Sequence, residues 1–246
     1  MTVGIITFFK SYNYGVWLQA VATQEFFSKN GFNAEIINYT NELEDSKTQY
    51  AYKENNKIYG YVTSFIKSIL FGKVKYYKKG FSKYLNSYYK ISEKEYHNVD
   101  NMQDIRYDIL VAGSDQLWNP ETTSGELDRA FLLQFGNVGK RISVATSIGS
   151  VPVEKENEKI IRDALKDFDA ISVREQYAKD VLHRFCDLPI KVIMDPTFLL
   201  NKREWIELAK RNTNMKKTNK KYILTYFISI KEQKDIRIWW RVIQKD

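Results

Sequence analysis

Short apolar runs alternate with stretches of helical period along most of this chain. Val3-Gly-Ile-Ile-Thr-Phe8 is rich in β-forming residues and ends in a polar turn, so it predicts a buried strand. Trp17, Leu18, Val21, Phe26 and Phe27 follow at helical spacing, with Asn30-Gly31 as a stop signal. Ala34-Glu-Ile-Ile-Asn-Tyr39 predicts the return strand. Together these form a βαβ unit whose loop, Lys10-Ser-Tyr-Asn-Tyr-Gly15, feeds a helix N-terminus where unpaired N–H groups favour anions. A plain helix start is the alternative. The loop has a single glycine where a dinucleotide fingerprint needs several, which argues against a nicotinamide or flavin site.

The alternation continues after the polar stretch Glu42–Asn56. Lys57–Phe71 and Lys75–Tyr89 predict two helices parted near Gly72. Strands are expected at Tyr107–Ala112, Arg141–Thr146, Ala170–Arg174 and Ile190–Met194, and helices at Glu154–Phe168, Glu175–Phe185 and Lys202–Arg211. This order predicts the α/β class with a mainly parallel, doubly wound sheet. Asn212–Lys221 is a polar, Lys-rich linker, and Lys221–Ile228 is a further apolar strand. A strand opening a new domain needs on the order of 100 further residues to build its own core. Only Ser229–Asp246 follow. The last strand either joins the first sheet or begins a second domain, and the second reading is taken as the expectation. Residues 1–218 then form the first domain, with a basic helical insertion at about 57–90, and 219–246 form the start of a truncated second one.

Charge changes this picture in two places. Of the net +8, residues Lys57–Lys90 contribute eight lysines and no acid, interleaved with seven tyrosines and three phenylalanines. Lys202–Asp246 carries thirteen basic against five acidic side chains, so the remainder is net acidic. The basic aromatic segment suits a solvated amphipathic insertion, an anionic membrane or glycolipid surface, or nucleic acid, in that order. No apolar run approaches the roughly 18 residues of a membrane span, and there is no leader-like N-terminus. The expectation is a cytoplasmic protein, peripheral at most on the inner face of the membrane. Cys186 is the only cysteine and sits beside Phe185 and Leu188, as a packing residue would. His97 and His183 lie far apart in sequence, so no metal site is expected.

In an open parallel sheet, ligands bind beyond the carboxyl ends of the strands. Those ends are Ser11–Gly15, Gly113–Asn119, Thr146–Gly149, Arg174-Glu175 and Asp195–Thr197, a rim of hydroxyls, amides, carboxylates and one arginine. Each tip has a simpler reading. Gly113-Ser-Asp suits a turn and helix cap, Asp195-Pro-Thr a turn before the last helix, and Arg174-Glu175 a local ion pair.

Several of these tips also occur as recognisable strings. Gly4-Ile-Ile-Thr-Phe8, Asn13-Tyr-Gly15 with Leu18-Gln19, Ile36-Ile-Asn-Tyr39, Gly113-Ser-Asp-Gln-Leu-Trp-Asn-Pro120, Ile171-Ser-Val-Arg-Glu175 and Met194-Asp-Pro-Thr197 stand in order over nearly all of residues 1–228. In this the chain resembles the polysaccharide pyruvyl transferase family. The resemblance implies a Rossmann-like sheet as one half of a GT-B-like two-domain fold. It also implies transfer of pyruvate from phosphoenolpyruvate, a co-substrate rather than a resident cofactor, to sugar hydroxyls in capsule or exopolysaccharide synthesis. On that basis Asp115 is the expected base, or the group that holds the sugar. Arg174, aided by the helix start at Asn13, Tyr14 and Gly15, is the expected clamp for the donor. Ser114, Gln116 and Asn119 are placed to bond hydroxyls, Trp118 to stack on a sugar ring, and Asp195 and Thr197 complete the rim. The acceptor would be a sugar or lipid-linked oligosaccharide.

Members of the family continue into a second domain with a His-Gly motif at the donor. This chain has no His-Gly. The expectation is a truncated, split or frameshifted member, inactive alone if its donor half is missing, that pairs with a separate C-terminal half or oligomerises. Whether Ser229–Asp246 is family sequence or a frameshifted tail is left open by the sequence. A GT-B-like glycosyltransferase using a nucleotide sugar, or a non-catalytic remnant docking on a membrane or partner, are the alternatives.

Overall fold

A computed structural model describes residues 1–10, 13–41, 87–123, 125–150 and 152–211. In chain order the regular elements are β1 (Thr2–Ile6), α1 (Tyr14–Lys29), β2 (Asn33–Ile36), β3 (Arg106–Ala112), β4 (Asn137–Ser143), α2 (Lys155–Leu165), β5 (Ile171–Val173), α3 (Gln176–Leu182), β6 (Ile190–Val192) and α4 (Lys202–Lys210).

Strands β2-β1-β3-β4 form a wholly parallel sheet, and β5-β6 form a parallel pair. The two are sewn together where the regular ladder lapses. Parallel bridges join Ile142 to Ala170 and Thr146 to Val173. Between them two serines replace main-chain pairing. Ser172 N–H donates to Ser143 Oγ at 2.9 Å, Ser143 Oγ donates to the Ser172 carbonyl at 3.0 Å, and Ser172 Oγ donates to the Ser143 carbonyl at 2.7 Å. Ala145 N–H donates to Ser172 Oγ at 3.2 Å. Strand order thus runs β2-β1-β3-β4-β5-β6 across the described residues, a mixed α/β, Rossmann-like arrangement. Ser172→Ala removes two of these bonds and leaves buried main-chain groups unpaired, so it is expected to lose about 1–3 kcal/mol in chemical denaturation.

Alternate side chains feed two layers, as the twofold repeat of a strand requires. Val3, Ile5, Ile109 and Val111 pack with Ala20, Val21 and Phe27 of α1 and Leu208 of α4. Ile6, Leu110 and Ala112 pack with Ile161 and Leu165 of α2 and Leu182 of α3 on the other face. Helix α1 begins at Asn13, whose side chain accepts the Gly15 N–H at 2.8 Å, and stops at Asn30-Gly31, with Gly31 at φ +86°. Helix α4 opens with a reciprocal capping box between Asn201 and Glu204. Lys29 to Glu204 at 2.5 Å and Arg211 to Glu25 at 2.6 Å hold α1 against α4.

Among its described residues the β3–β4 crossover, 113–136, has no α-helix, yet Leu127, Phe131, Leu132 and Phe135 are buried. Side chains satisfy its main chain. Asn157 of α2 accepts the Leu127 N–H at 2.8 Å and donates to the Gly125 carbonyl at 3.1 Å. Arg141 donates to the Leu133, Phe135 and Gly136 carbonyls at 3.0–3.3 Å.

The start of β4 and the end of the helix expected at Lys75–Tyr89 differ most from expectation. Strand β4 starts at Asn137, four residues early, because Asn137–Lys140 pair with Arg106–Ile109 despite their polar sequence. It ends at Ser143, where the serine seam begins. The helix expected at Lys75–Tyr89 reaches the described residues only at 87–89, which are not helical; Ser87 and Tyr88 make a turn. The rest of that insertion, the boundary at 218 and the strand at Lys221–Ile228 lie outside the described residues. Among those described, no helix is long and apolar enough to cross a membrane.

Candidate active site

Strand order reverses between β1 and β3, so the crevice of the sheet opens beyond Ile6 and Ala112. The chain there is drawn together by its own polar groups. Past β3 the Gly113–Ser114 peptide is cis and Asp115 stands at φ +86°. A non-glycine residue held in this region costs of order 1–3 kcal/mol and persists only where its surroundings fix it. The surroundings do so. Ser147 N–H donates to the Asp115 carbonyl at 2.8 Å, Trp118 N–H to the Ser147 carbonyl at 3.1 Å, and Arg174 N–H to the Thr146 carbonyl at 3.2 Å. The tips of β3, β4 and β5 thereby become one surface.

Four ionisable side chains meet on it, Arg174, Glu175, Asp195 and Asp115. Arg174 Nη1 lies 3.4 Å from Asp195 Oδ2, and its Nε lies 3.9 Å from Glu175 Oε2. Ser114 Oγ donates to the Ala145 carbonyl at 2.8 Å and approaches Asp195 Oδ2 at 3.4 Å. Burial pushes the Asp115 carboxyl above the ordinary aspartate value, and the negative charge of Asp195 adds to this. The Gln116 N–H, which donates to Asp115 Oδ1 at 2.8 Å, and the Arg174 charge oppose the shift without cancelling it. The result is a carboxyl that holds its proton more tightly than an ordinary aspartate, beside one guanidinium and a second carboxylate.

A model of polysaccharide pyruvyl transferases matches residues 13–243. This chain belongs to the polysaccharide pyruvyl transferase family. Neither a curated protein nor a solved structure matches it. The family match runs through Ile243, so Ser229–Ile243, whose place in the family pattern the sequence left open, lies within it.

The expected site residues of this pyruvyl transferase family member separate into three groups. Asp115, Arg174, Asp195 and Ser114 converge as described. Asp195 also serves the turn expected of it, accepting Thr197 N–H at 2.9 Å and Thr197 Oγ1 at 2.8 Å, with its other oxygen left for Arg174. Asn13 is taken up in capping α1, while Tyr14 and Gly15 are exposed at the helix start.

The residues after Asp115 turn inward instead. Trp118 is wholly buried, donates its indole N–H to the Phe131 carbonyl at 3.0 Å and packs edge-on against Phe168. It is a core residue and offers no face to a sugar ring, which corrects the stacking role expected for it. Asn119 is buried; it donates to Gln116 Oε1 at 2.9 Å and accepts the Glu121 N–H at 3.0 Å. Asn119 and Gln116 therefore bond each other and shape the loop.

Two further residues at this edge carry no role from the sequence. Gln19 of α1 and Thr7 at the end of β1 are both buried and both bonded to Ser114. The available signal was a glutamine in the apolar register of a helix, Leu18-Gln-Ala-Val21. Glu175, seen only as an ion-pair partner, accepts the Ile148 N–H at 3.1 Å and so anchors the tip of β4 as well. Among the described residues no group of three or more His, Cys, Asp or Glu side chains is arranged to hold a metal ion.

Proposed function

We propose that this chain transfers the pyruvyl group of phosphoenolpyruvate to two hydroxyls of a saccharide, in capsule or exopolysaccharide assembly, with a sugar or lipid-linked oligosaccharide as acceptor. Family membership supports the reaction class. The observation that carries the assignment to this edge is the approach of Asp115, Arg174 and Asp195 at the switch point of a parallel sheet. In the overall reaction two bonds form between C2 of the donor and sugar oxygens, and the bond from C2 to the phosphate oxygen breaks. The two hydroxyls give up two protons, of which one ends on the methylene carbon and one on the released phosphate.

Residue chemistry matches these needs. Asp115, with its raised proton affinity, takes the hydroxyl proton as base. Asp195, like Asp115, accepts hydroxyl hydrogen bonds of the kind a sugar donates. Arg174 supplies the cation for the carboxylate or phosphate of the donor. Its ion pairs at 3.4 and 3.9 Å are long, so guanidinium donors remain for an incoming anion.

The test is incubation with phosphoenolpyruvate and candidate saccharides, reading phosphate release and the mass of the ketal product. Arg174→Lys keeps the charge but loses the fork, and is expected to weaken phosphoenolpyruvate binding by about 10- to 100-fold in titration calorimetry. Binding of a nucleotide sugar with none of phosphoenolpyruvate would replace this reading with glycosyl transfer.

A further inference from the structure

The tip that presents Asp115 is gripped from beneath by side chains that have no part in the chemistry proposed above. Ser114, the residue before Asp115, is fully buried, and each of its polar groups has a partner in a different segment of the chain. Its N–H donates to Gln19 Oε1 of α1 at 3.0 Å, and its carbonyl accepts at 3.0 Å from Oγ1 of Thr7, the residue after β1. Its hydroxyl donates to the Ala145 carbonyl at the end of β4 at 2.8 Å. Gln19 and Thr7 also bind each other: Gln19 Nε2 donates to Thr7 Oγ1 at 2.9 Å. The same nitrogen donates to the Phe8 and Val16 carbonyls at 3.1 and 2.8 Å. Gln19 therefore joins the residues just past β1, the first turn of α1 and the tip of β3 through a single amide.

We infer that Gln19 and Thr7 are positioning residues, which fix the orientation of the Asp115 carboxyl by clamping the main chain of Ser114 from the opposite side of the switch point. The inference rests on the reading of Asp115 as base. The two N–H groups of this amide are shared among three acceptors and its oxygen accepts the Ser114 N–H, so a flipped amide would set its oxygen against the Phe8 and Val16 carbonyls and the clamp holds one orientation. Asp115 follows directly at φ +86°, a conformation that relaxes once its neighbours release it. An unclamped tip would let the carboxyl swing toward water. Its proton affinity would then fall toward the ordinary aspartate range, because burial is the first cause that raises it.

Thr7→Val keeps the shape and deletes the hydroxyl that both accepts from Gln19 and donates to Ser114. Thr7→Ser restores it, and Gln19→Leu removes the amide outright. With phosphoenolpyruvate and a saccharide acceptor, Thr7→Val and Gln19→Leu are expected to lower kcat by about 100-fold with KM for phosphoenolpyruvate little changed. The acidic limb of the pH–rate profile should move to lower pH, and Thr7→Ser should restore both. A folded Thr7→Val protein with wild-type kcat overturns the inference. So does a rate loss that only follows the folded fraction and leaves the limb in place, since that is all a structural role would give. If wild-type protein transfers no pyruvyl group, the pyruvyl reading fails on its own. The titration of Asp115, followed by carboxyl-carbon NMR in wild type and Thr7→Val, then decides the positioning separately: a lowered midpoint upholds it, and coincident curves overturn it.

Discussion

Asp115→Asn is expected to lower pyruvyl transfer by at least about 10²- to 10⁴-fold, the range for loss of a positioned acid–base group, while raising the melting temperature at neutral pH. The two effects have one cause. Asparagine tolerates positive φ nearly as well as aspartate, so φ +86° need not change, and its amide oxygen can still accept the Gln116 N–H. What it cannot do is take a proton.

The stability sign follows from the direction of the Asp115 shift. Its folded pKa lies above the unfolded value because burial disfavours the carboxylate. The favourable contribution of the protonated group is complete below the ordinary aspartate pKa and is lost as pH rises through the folded pKa. At neutral pH the wild-type fold carries a half-buried charge that the variant lacks. The difference in melting temperature should therefore open as pH is raised across that window and close in acid. A variant that melts lower at neutral pH would mean that Arg174 stabilises the carboxylate more than burial penalises it. An unchanged single-turnover rate would remove Asp115 from the chemistry. A site that is less stable with its working group than without it is the pattern expected where strain and burial serve function.

The elements of this fold were legible because each joins a run of strand-forming or helically spaced apolar residues to a clear stop. The periodicity of Trp17–Phe27 and the Asn30-Gly31 stop give α1, and the runs at Val3, Tyr107 and Ile171 give three strands. How the strands order themselves leaves no local mark, since nothing in Asp108–Ala112 states that its neighbours are β1 and β4. Nor could the serine seam be read, because Ser143 and Ser172 look neutral in any strand pattern until they face each other. At the site, the rule that ligands gather at carboxyl ends of strands located Asp115, Arg174 and Asp195. It could not say which way side chains point. One residue at positive φ turns the chain, and Trp118, three positions on, faces the core rather than the crevice. Gln19 escaped for the opposite reason. A polar residue on a helix is read as outward, and its place in the apolar register Leu18-Gln-Ala-Val21 does not outweigh that until packing shows it facing in.

Gly113→Ala is expected to be the most damaging single methyl group that can be added at this edge. Gly113 has φ +122°, and a Cβ built on it would lie 2.2 Å from the Val144 carbonyl oxygen and 2.7 Å from Thr146 Oγ1. Neither neighbour can withdraw cheaply. Val144 N–H donates to the Ala112 carbonyl at 2.8 Å, Thr146 Oγ1 donates to the same carbonyl at 2.9 Å, and Gly113 N–H donates to the Ile6 carbonyl at 3.1 Å. Relief of the clash would part β3 from β4 where the two strands carry Ser114 and Ala145 into the site. The expected loss is above about 4 kcal/mol, in the class of backbone strain combined with overpacking. For a domain of this size it lowers the melting temperature by roughly 10 °C or more. Gly31→Ala supplies the comparison, since Gly31 has φ +86° but nothing within 4 Å of its would-be Cβ. That substitution carries only the conformational cost of a left-handed alanine, about 1–2 kcal/mol. Calorimetry on the two variants separates the terms. Equal losses would mean that the β3–β4 edge yields to the methyl group, and an edge that yields would not hold Asp115 in one orientation.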